Sequence, residues 1–514
     1  MSSTPIVLYV CFAFPAVFLL ARVLGRRHTA PYPPGPKGLP FIGNMFDMPS
    51  AYPWHTFTEW GRTFGDMVYI NTLGKRVIIL NSARQATAML DKRSSIYSDR
   101  PVSPMGGELV GLKDTLIMAP YGPQSREHRR YIRQSIGSKT PMERHHAVII
   151  GENREFLKRL LGSHQGVAAE IRNLRRRTAG AVLLKITYGY TTQQKDDPVV
   201  ALAENIADLL ASVLTPGAWL IDTLPFLRYL PAWFPGARFK KVAADMRQTL
   251  YNIADVPYRI TKHKLTNSVD LPPNLIAECL EKEDLNTETE SNIKWAAAAI
   301  YSGGVDTTVS AMHSFVLAMT LYPNVQKHAQ AEIDTVIGDE RLPSFKDRAH
   351  LPFIEAIVKE ILRWRCPGPL NVPHRATEDA IHDGYYIPKG TTIIANIWAI
   401  LHNPEVYPNP DTFDPSRFVS ETGEPTDVPS PYDACFGYGR RICPGINFAD
   451  ASIFIWCAMI LAVYDISKAV GEDGKVVEPT GEYTSGAVSH PKPFECSIVP
   501  RSEKARGLIL SMDE

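Results

Sequence analysis

A single cysteine lies in a distinctive setting in the stretch FGYGRRICPG, Phe436 to Gly445. The glycines at 437, 439 and 445 leave this stretch with little side-chain bulk, so its backbone can pass close to a flat group and direct N–H groups at the sulfur of Cys443. An apolar helical pattern begins directly after the cysteine, and the positive end of a helix favours a thiolate and lowers the pKa of a thiol. These features predict that Cys443 is a metal ligand.

A second stretch, AIYSGGVDTTVSA (Ala299 to Ala311), places two glycines, an acid and hydroxyl groups inside a long helical pattern. Adjacent glycines cost a helix roughly 1 kcal/mol each relative to alanine, so we expect a local bulge at Gly303 and Gly304. Thr307 offers a hydroxyl group for a hydrogen bond, and Asp306 offers a carboxylate that can relay protons through water. An ordinary helix with a polar stripe is the alternative interpretation.

Charged residues suited to structural or cofactor contacts occur at further places in the chain. Glu360 and Arg363 in KEILRW stand three residues apart, which places both on one helix face, where an ion pair can form. Arg441, next to the cysteine loop, offers a cation for an acidic group of a cofactor. The remaining candidates are Arg417 in FDPSRF, Arg375 in VPHRA and Arg129 in YGPQSREHRR.

These segments resemble those of the cytochrome P450 haem-thiolate monooxygenases. FGYGRRICPG is similar to the family signature FxxGxRxCxG, and GGVDTT is similar to its oxygen-activation motif (A/G)Gx(D/E)TT, with Gly303 in the alanine position. The resemblance implies haem b as cofactor, Cys443 as axial ligand of its iron, and Thr307 and Asp306 as catalytic residues. It implies that the bulge admits dioxygen, that Thr307 holds the distal oxygen by a hydrogen bond, and that Asp306 relays protons. It implies further haem contacts from Phe436, Gly437, Gly445, Gly303, Gly304, Arg129, Arg375 and Arg441.

KEILRW and FDPSRF resemble the ExxR pair and the PxRF segment of the same family. By that resemblance Glu360, Arg363 and Arg417 form a buried charge network behind the haem, with a structural role. For Arg375, a solvated arginine at a strand end is the alternative to a contact with a haem propionate.

One position departs from the family pattern. Ser125 stands where the family's WxxxR helix usually has tryptophan, although Arg129 still matches the propionate-binding arginine. Loss of an indole removes a large packing surface and a hydrogen-bond donor, so we expect weaker haem binding and a gain in haem occupancy from Ser125→Trp.

The resemblance implies a monooxygenase that inserts one oxygen atom from O2 into an apolar or aromatic secondary metabolite, as fungal and especially basidiomycete members do. No GxGxxG opens a helix after a strand, so we expect electrons from a separate NADPH-dependent flavoprotein reductase. Arginines 126, 129, 130 and 133 recur at helical spacing and would steer an acidic partner, unless they form only a solvated face. A reductase-independent haem-thiolate isomerase or dehydratase and a non-catalytic haem-binding protein are the alternatives.

Four segments match family regions that face substrate, and their apolar character favours an uncharged ligand. They are residues 101–118, 300–304, 370–372 and 484–488. The substrate itself does not follow from the resemblance, because one fold serves many substrates.

The elements that must position these residues are mostly helices. Helical patterns run over 125–135, 292–322, 324–336, 351–364 and 446–464, whereas residues 66–80 predict a β-hairpin that turns at Gly74 and Lys75. Late strands are expected at 391–395 and 494–499. We therefore predict a mainly α fold with small β-sheets, the cytochrome P450 fold, preceded by a single N-terminal transmembrane helix.

Residues 5–25 form an apolar run long enough to span a bilayer, with Arg26 and Arg27 directly after it. Positive charge on that side places the following chain in the cytosol, and a cleaved secretory peptide is the competing interpretation. We predict a membrane anchor at 1–27, a proline-rich hinge at 28–50 and a haem-thiolate catalytic domain at 51–514, in the endoplasmic reticulum membrane. The aromatic segment 217–239 either touches the bilayer or packs as a loop on the core.

Composition excludes some partner classes. A net charge of +1 gives no basic excess for nucleic acid binding. The seven cysteines are scattered, without CxxC pairs or metal-finger spacing, which favours a reduced, cytosol-facing fold.

Overall fold

The computed structural model of the 514-residue chain describes residues 30–162, 178–193, 197–202, 209, 213 and 219–511. The predicted membrane anchor and the first residues of the predicted hinge lie outside this part. Helices dominate and three small sheets accompany them, as the sequence predicts.

Seventeen α-helices are bounded within the described residues. They are α1 (Pro53–Phe64), α2 (Ala83–Ala86), α3 (Ser94–Tyr97), α4 (Pro123–Ser135), α5 (Lys139–Glu143), α6 (His146–Leu161), α7 (Gly180–Tyr188), α8 (Leu220–Thr223), α9 (Arg238–Thr266), α10 (Leu275–Lys282), α11 (Thr287–Leu321), α12 (Pro323–Val336), α13 (Pro352–Trp364), α14 (Ile397–Leu401), α15 (Tyr432–Cys435), α16 (Ile446–Val463) and α17 (Glu503–Leu510). Short 3-10 or π-helical segments lie at Thr87–Asp91, Pro104–Val110, Leu112–Asp114, Pro225–Tyr229, Phe345–His350, Pro415–Phe418 and Gly439–Arg441.

The largest sheet has four strands in the order β1, β2, β6, β3. The strands are β1 (Met67–Thr72), β2 (Lys75–Leu80), β3 (His374–Arg375) and β6 (Thr392–Ala395). β1 and β2 form the predicted hairpin, but its turn is at Leu73 and Gly74 and not at Gly74 and Lys75, because Lys75 already pairs with Thr72. Both turn residues have positive φ, as a tight two-residue turn requires. β6 pairs parallel with β2 and antiparallel with β3. Two-stranded sheets join β4 (Ala380–His382) to β5 (Tyr385–Ile387) and β7 (Tyr464–Lys468) to β8 (Cys496–Pro500).

The 35-residue helix α11 runs through the centre of the fold. It packs against α4, α7 and α16, and most of its second half is buried, which explains why it is apolar on several faces. The helix is continuous α-helix from Thr287 to Leu321, so the bulge predicted at Gly303 and Gly304 is wrong. Burial against neighbouring helices offsets the cost of the two glycines, because packing outweighs intrinsic propensity.

Helix α16 follows the cysteine loop and is almost entirely buried. It is the one described helix that is long and apolar enough to cross a membrane, and its burial identifies it as a core helix. Its position fixes the end of the cysteine loop against the rigid centre of the protein.

A large apolar surface, called here the aromatic surface, extends on both sides of the β1–β2 turn. Leu73 N donates to Ile42 O at 3.2 Å on one side, and Lys75 Nζ donates to Asp222 O on the other. Trp233 is 81% exposed, Phe46 77% and Tyr229 74%. The surface consists of Leu39, Phe41, Met45, Phe46, Leu73, Leu220, Phe226, Tyr229 and Trp233.

Candidate functional site

Two glycines give the cysteine loop its shape. Gly437 and Gly439 have φ angles of 77° and 53°, a region that residues with a Cβ rarely adopt. A Cβ on Gly439 would also lie 2.4 Å from the carbonyl oxygen of Leu90. The loop closes where Cys443 N donates to Phe436 O at 2.7 Å, and α16 begins three residues after the cysteine.

The protonation of Cys443 differs from the sequence-based expectation. Burial raises the pKa of this thiol, although the backbone N–H of Gly445 and the charge of Arg129 act in the opposite direction. The expectation that the helix end lowers the pKa of the free thiol is therefore wrong. A thiolate here requires a bound metal, which displaces the thiol proton.

Four basic side chains converge beside this loop from distant parts of the chain. Arg100 donates from Nη1 to Val372 O and Pro373 O, both at 2.8 Å. Arg441 donates to Ser98 O and Ala119 O, both at 2.7 Å, and Arg129 donates to Ile442 O at 2.7 Å. The fourth member is His374, whose Nδ1 lies 2.6 Å from Tyr97 O. We call Arg100, Arg129, His374 and Arg441 the basic cluster.

Burial and mutual repulsion perturb the whole basic cluster. Burial, reinforced by Arg129, lowers the pKa of Arg441 to about 10, and burial beside Arg100 lowers the pKa of His374 to about 3. The pKa of Arg100 is also lowered, first by burial and then by its two arginine neighbours. Clustered buried cations of this kind are costly unless an anion neutralises them.

The arginines keep buried donors that no described residue accepts. These donors are Nε of Arg100, Nε of Arg129 and Nη1 of Arg441. Buried N–H groups are nearly always hydrogen-bonded in native proteins, so three together indicate missing acceptors. The two propionate groups of haem provide both the acceptors and the negative charge, and the residues present therefore fit this cofactor.

Arg375 lies next to the basic cluster but is bound elsewhere. Its Nε donates to Oδ2 of Asp99 at 2.9 Å, and its Nη2 contacts the same oxygen. Burial favours the protonated form of Asp99, but the hydrogen bond and charge of Arg375 and the backbone N–H groups of Tyr121 and Arg100 together outweigh it and hold the pKa of this carboxyl below its usual value. The structure thus places Arg375 in an ion pair, while the adjacent His374 faces the arginines.

Ser125 is completely buried at the start of α4. Its hydroxyl donates to Gly122 O and accepts from Gly122 N, both at 3.1 Å, and so caps the first turn of the helix. An indole at this position would have to replace that cap and find room in a closed environment. The effect of Ser125→Trp on haem occupancy stays a prediction.

The two glycines of α11 have different surroundings. A Cβ on Gly303 would meet no atom within 4 Å, whereas one on Gly304 would lie 2.8 Å from Cδ1 of Leu183. Thr307 donates to Gly303 O at 2.8 Å, which is an ordinary bond within the helix. Gly303 and Thr307, one turn apart, therefore border open space, and Gly304 allows close packing of α7.

The predicted charge network is present and buried. Arg363 contacts both carboxylate oxygens of Glu360, at 2.7 and 2.8 Å, and neither side chain is exposed. Arg417 Nε lies 3.3 Å from Oε1 of Glu360, and Asp414 N donates to the same oxygen at 2.9 Å. Burial raises the pKa of Glu360 despite these partners. The network ties α13 to the segment that precedes the cysteine loop.

Arg100 and His374 are the residues that the sequence-based interpretation misses. Each is a single basic residue with no distinctive spacing, and only the fold brings it beside Arg129 and Arg441. His374 also adjoins Arg375, the residue to which the haem contact was assigned. Apart from the basic side chains themselves, no sequence motif around Arg100 or His374 indicates a role in the site.

Two predicted substrate-facing segments approach α11 and the basic cluster. Arg100 holds the backbone of residues 372 and 373, which places segment 370–372 against the cluster. Ser310 of α11 donates to Ser489 O at 2.5 Å, which places the turn of residues 484–488 beside α11. One segment thus contacts the basic cluster and the other contacts α11.

Comparison with known proteins agrees with this arrangement. The sequence profile of the family described as "Cytochrome P450" matches residues 33–498. The chain is 47% identical to cytochrome P450 monooxygenase 208 of Postia placenta, across 100% of this chain and 99% of that protein. It is 41% identical to cytochrome P450 monooxygenase claR of Ampulloclitocybe clavipes, with 97% and 92% of the two chains covered. A cytochrome P450 monooxygenase of Armillaria gallica, ARMGADRAFT_974139, is 40% identical, with 98% of each chain covered.

Proposed function

Since this chain belongs to the cytochrome P450 family and is a haem-dependent monooxygenase that uses O2 on a small molecule, we propose that it is a membrane-anchored enzyme that hydroxylates an apolar or aromatic secondary metabolite. We further propose that an NADPH-dependent flavoprotein reductase supplies its electrons. The observation that carries the proposed site is the group of unpartnered arginine donors beside Cys443.

Haem bound through a thiolate supplies the chemistry that activates and splits dioxygen. The residues of this chain then have separate proposed roles around it. Cys443 would bind the iron, and the basic cluster would bind the two propionates. Phe436, Gly437 and Gly445 shape the loop on the cysteine side. The Glu360, Arg363 and Arg417 network holds that loop in register with the rest of the fold.

On the opposite side, we assign oxygen and proton handling to α11. Thr307 is one turn after Gly303, where the absence of a side chain leaves open space. We propose that the Thr307 hydroxyl holds the reacting oxygen by a hydrogen bond. Asp306, the preceding residue, passes protons toward it from the partly exposed side of the helix.

The proposed substrate is uncharged and mostly apolar. Met105, Val110 and Leu112 in the segment 101–118 are buried apolar residues, and Leu370 and Val372 continue this character. Within this segment, Glu108 is bound by Arg228 and Asp114 by the hydroxyl of Tyr251, and the propionates would neutralise the basic cluster. An apolar ligand loses no hydrogen bonds on entering such surroundings.

Membrane attachment is proposed from two regions. The N-terminal apolar run has the length of a bilayer span, and the arginines that follow it favour a cytosolic catalytic domain in the endoplasmic reticulum membrane. The aromatic surface supports this proposal, since exposed Trp and Tyr side chains suit the interface between lipid and water. A surface of this size is uncommon on a protein with no partner.

The proposed reductase contact lies next to the cysteine loop. Arg126, Arg133 and Arg440 are exposed, and none has an acidic partner within 4.0 Å among the residues that the structure describes. Arg126 and Arg440 both lie over the ring of Tyr121, at 5.9 and 5.3 Å. Arg130 is less suited, because Glu127 and Glu283 bind it. An acidic flavoprotein surface would complement the free arginines.

The first experiment is a product screen. Microsomes that contain this chain and a fungal reductase receive panels of terpenoids, polyketides and indoles, with and without NADPH, and products are identified by mass spectrometry. We expect an NADPH-dependent product one oxygen atom heavier than its precursor, and none from Cys443→Ala. Turnover without NADPH would contradict the proposed electron supply and favour an isomerase or dehydratase.

The reductase contact has its own test with a matched control. We expect Arg126→Glu and Arg440→Glu to reduce NADPH-driven turnover about tenfold and to weaken its salt dependence. The carbon monoxide spectrum after chemical reduction should be unchanged. Lys241→Glu, an exposed charge reversal on α9, is the control and should leave turnover unchanged. Equal rates in all three variants would contradict the assigned surface.

A further inference from the structure

His490 lies against the acid that is proposed to relay protons. Its Nε2 is 3.1 Å from Oδ1 of Asp306, and the two side chains are 23% and 22% exposed. The two side chains are therefore in contact, and the Oδ1 atom itself is buried although both side chains are partly exposed. The sequence gives no reason to pair these residues, which are 184 positions apart (490 − 306).

The contact is one of three that attach residues 483–490 to one face of α11. Asp306, Ser310 and Ser314 follow each other at four-residue spacing and therefore share that face. Ser310 donates to Ser489 O at 2.5 Å, and Ser314 accepts from the hydroxyl of Tyr483 at 2.9 Å. The chain from 483 to 490 is thus held to the helix at three successive turns.

The same turn contains a segment that is proposed to face substrate, residues 484–488. His490 N donates to Thr484 Oγ1 at 3.0 Å, and Thr484 N donates to His490 O at 2.8 Å. Ser489 Oγ also donates to Thr484 O, at 2.8 Å. These bonds join Thr484 to Ser489 and His490, so the position of the turn is linked to that of His490.

We propose that His490 is a positioning residue that holds the carboxylate of Asp306 and couples it to the substrate-facing turn. This inference rests on the proposed role of Asp306 in proton relay. A substrate that presses on residues 484–488 moves His490 and with it the acid next to Thr307. Proton delivery is therefore aligned when the site is occupied, and oxygen consumption without product is suppressed.

Other groups also surround this pair. The ring of His313, one turn beyond Ser310, lies 6.1 Å from the ring of His490 in an edge-on arrangement. Asp306 has further interactions besides the one with His490. The contact with His490, a tethered side chain, restricts the orientations that the Asp306 carboxylate can adopt.

Two substitutions of His490 distinguish a role in positioning Asp306 from a role in packing alone. His490→Phe keeps a ring but loses both nitrogens, and His490→Gln keeps an N–H donor at a similar distance from the backbone. Each variant, loaded with haem, is compared with wild type for product formed per NADPH, hydrogen peroxide released, and the rate ratio in H2O and D2O. The probe is the precursor that wild type converts in the product screen. His350→Gln, on an exposed single turn, is the control.

We expect His490→Phe to lower product per NADPH about fivefold to tenfold, with a matching gain in hydrogen peroxide and a larger solvent isotope effect, since a misplaced acid slows proton transfer. His490→Gln should restore most of the wild-type ratio. Wild-type coupling in His490→Phe would overturn the proposal. Failure of His490→Gln to restore coupling would overturn the positioning role as well.

A second measurement does not depend on turnover. Melting temperatures of the haem-loaded wild type, Asp306→Asn, His490→Phe and the double variant form a double-mutant cycle. Non-additive shifts are expected if the two side chains interact, and additive shifts would overturn the proposal. Absence of any product from wild type would count against the proposed function, and the cycle would then decide the pairing by itself.

Discussion

At the scale of single residues, the main feature is the excess of positive charge beside Cys443. Arg100, Arg129 and Arg441 lie close together, and the carboxylate that reaches this region, Asp99, is bound by Arg375. Each arginine also keeps a buried donor unpaired among the described residues. The free energy of unfolding of the cofactor-free protein is lowered by this arrangement, and haem binding removes the penalty.

The buried carboxylate of Glu360 gives a sharp prediction at this scale. Glu360→Gln leaves Arg363 and Arg417 without a counter-charge, and we expect a loss of about 3 to 5 kcal/mol in the free energy of unfolding. Chemical denaturation followed by circular dichroism measures this loss. The exposed Glu405→Gln serves as control and should change the free energy of unfolding by less than about 0.5 kcal/mol. Equal effects of both substitutions would contradict a stabilising network.

Burial of His145 predicts that the stability of the folded protein decreases at acidic pH. Burial, with a smaller contribution from Arg144, lowers the pKa of His145 to about 4. In the unfolded chain this group titrates near 6.5, so below that pH the unfolded state binds a proton that the folded state does not. Stability should fall as the pH drops from 6.5 toward 4, by about 2 kcal/mol at pH 5 from this residue.

The test compares melting temperatures of wild type and His145→Gln between pH 7.5 and pH 5. The variant should lose less stability across that interval, since it lacks the titrating group. Parallel curves for the two proteins would show that His145 does not contribute to the pH dependence.

The sequence identifies site residues where they form local motifs and fails where they do not. Cys443, Glu360 and Thr307 each lie in a segment whose spacing is recognisable by itself. Arg100 and His374 gain significance only from convergence in space. Arg375 pairs with Asp99, and its contact with a haem propionate stays a prediction. The thiol pKa of Cys443 was predicted in the wrong direction because the desolvation of the buried sulfur cannot be read from the sequence.

At the scale of elements, the two adjacent glycines of α11 have different surroundings. Gly304 allows α7 to approach, and Gly303 borders open space. Gly304→Ala should therefore cost about 1 to 3 kcal/mol, since the fully buried Leu183 must shift. Gly303→Ala should stabilise the helix by up to about 1 kcal/mol.

Thermal unfolding of the two variants, each with its carbon monoxide spectrum as a check of haem binding, tests this difference. The pair is internally matched, because both substitutions add one methyl group to the same helix turn. Equal melting temperatures would contradict the assigned packing of Gly304.

Helices were easier to predict than sheets. The predicted start and end of the helix at 446–464 agree with α16 within one residue, and the helix at 324–336 agrees equally well with α12. The β1–β2 hairpin is local and was also predicted. The parallel pairing of β2 with β6 joins segments more than 300 residues apart, and no sequence pattern indicates it. The bulge in α11 was wrong because helix propensity was weighed without the packing of α7.

At the scale of the whole molecule, the aromatic surface is the part of the described structure that we propose to contact a membrane. Segments from two parts of the chain meet beside the β1–β2 turn to form this surface. The aromatic segment 217–239 was given two interpretations, contact with a bilayer or packing on the core. The high exposure of Phe226, Tyr229 and Trp233 favours the first.

Membrane contact of Trp233 predicts a specific optical signal. In the full chain reconstituted with brominated lipids, part of the tryptophan fluorescence should be quenched, and Trp233→Phe should remove most of that part. Trp456→Phe is the control, since Trp456 is 1% exposed in the core and should not be quenched. Equal quenching in wild type and Trp233→Phe would place this side chain outside the lipid.

The residues of the basic cluster are synthesised at widely separated times, because they lie far apart in the chain. Arg441 binds the backbone of Ser98, and the two residues are 343 positions apart. At 5 to 20 residues per second, roughly 20 to 70 s separate the synthesis of one from that of the other. Arg100 and Arg129 are made early, but the cysteine and the last arginine arrive only after that interval. During that interval the nascent chain contains only some of the residues that bind haem. Haem binding therefore becomes one of the last events in the maturation of this enzyme.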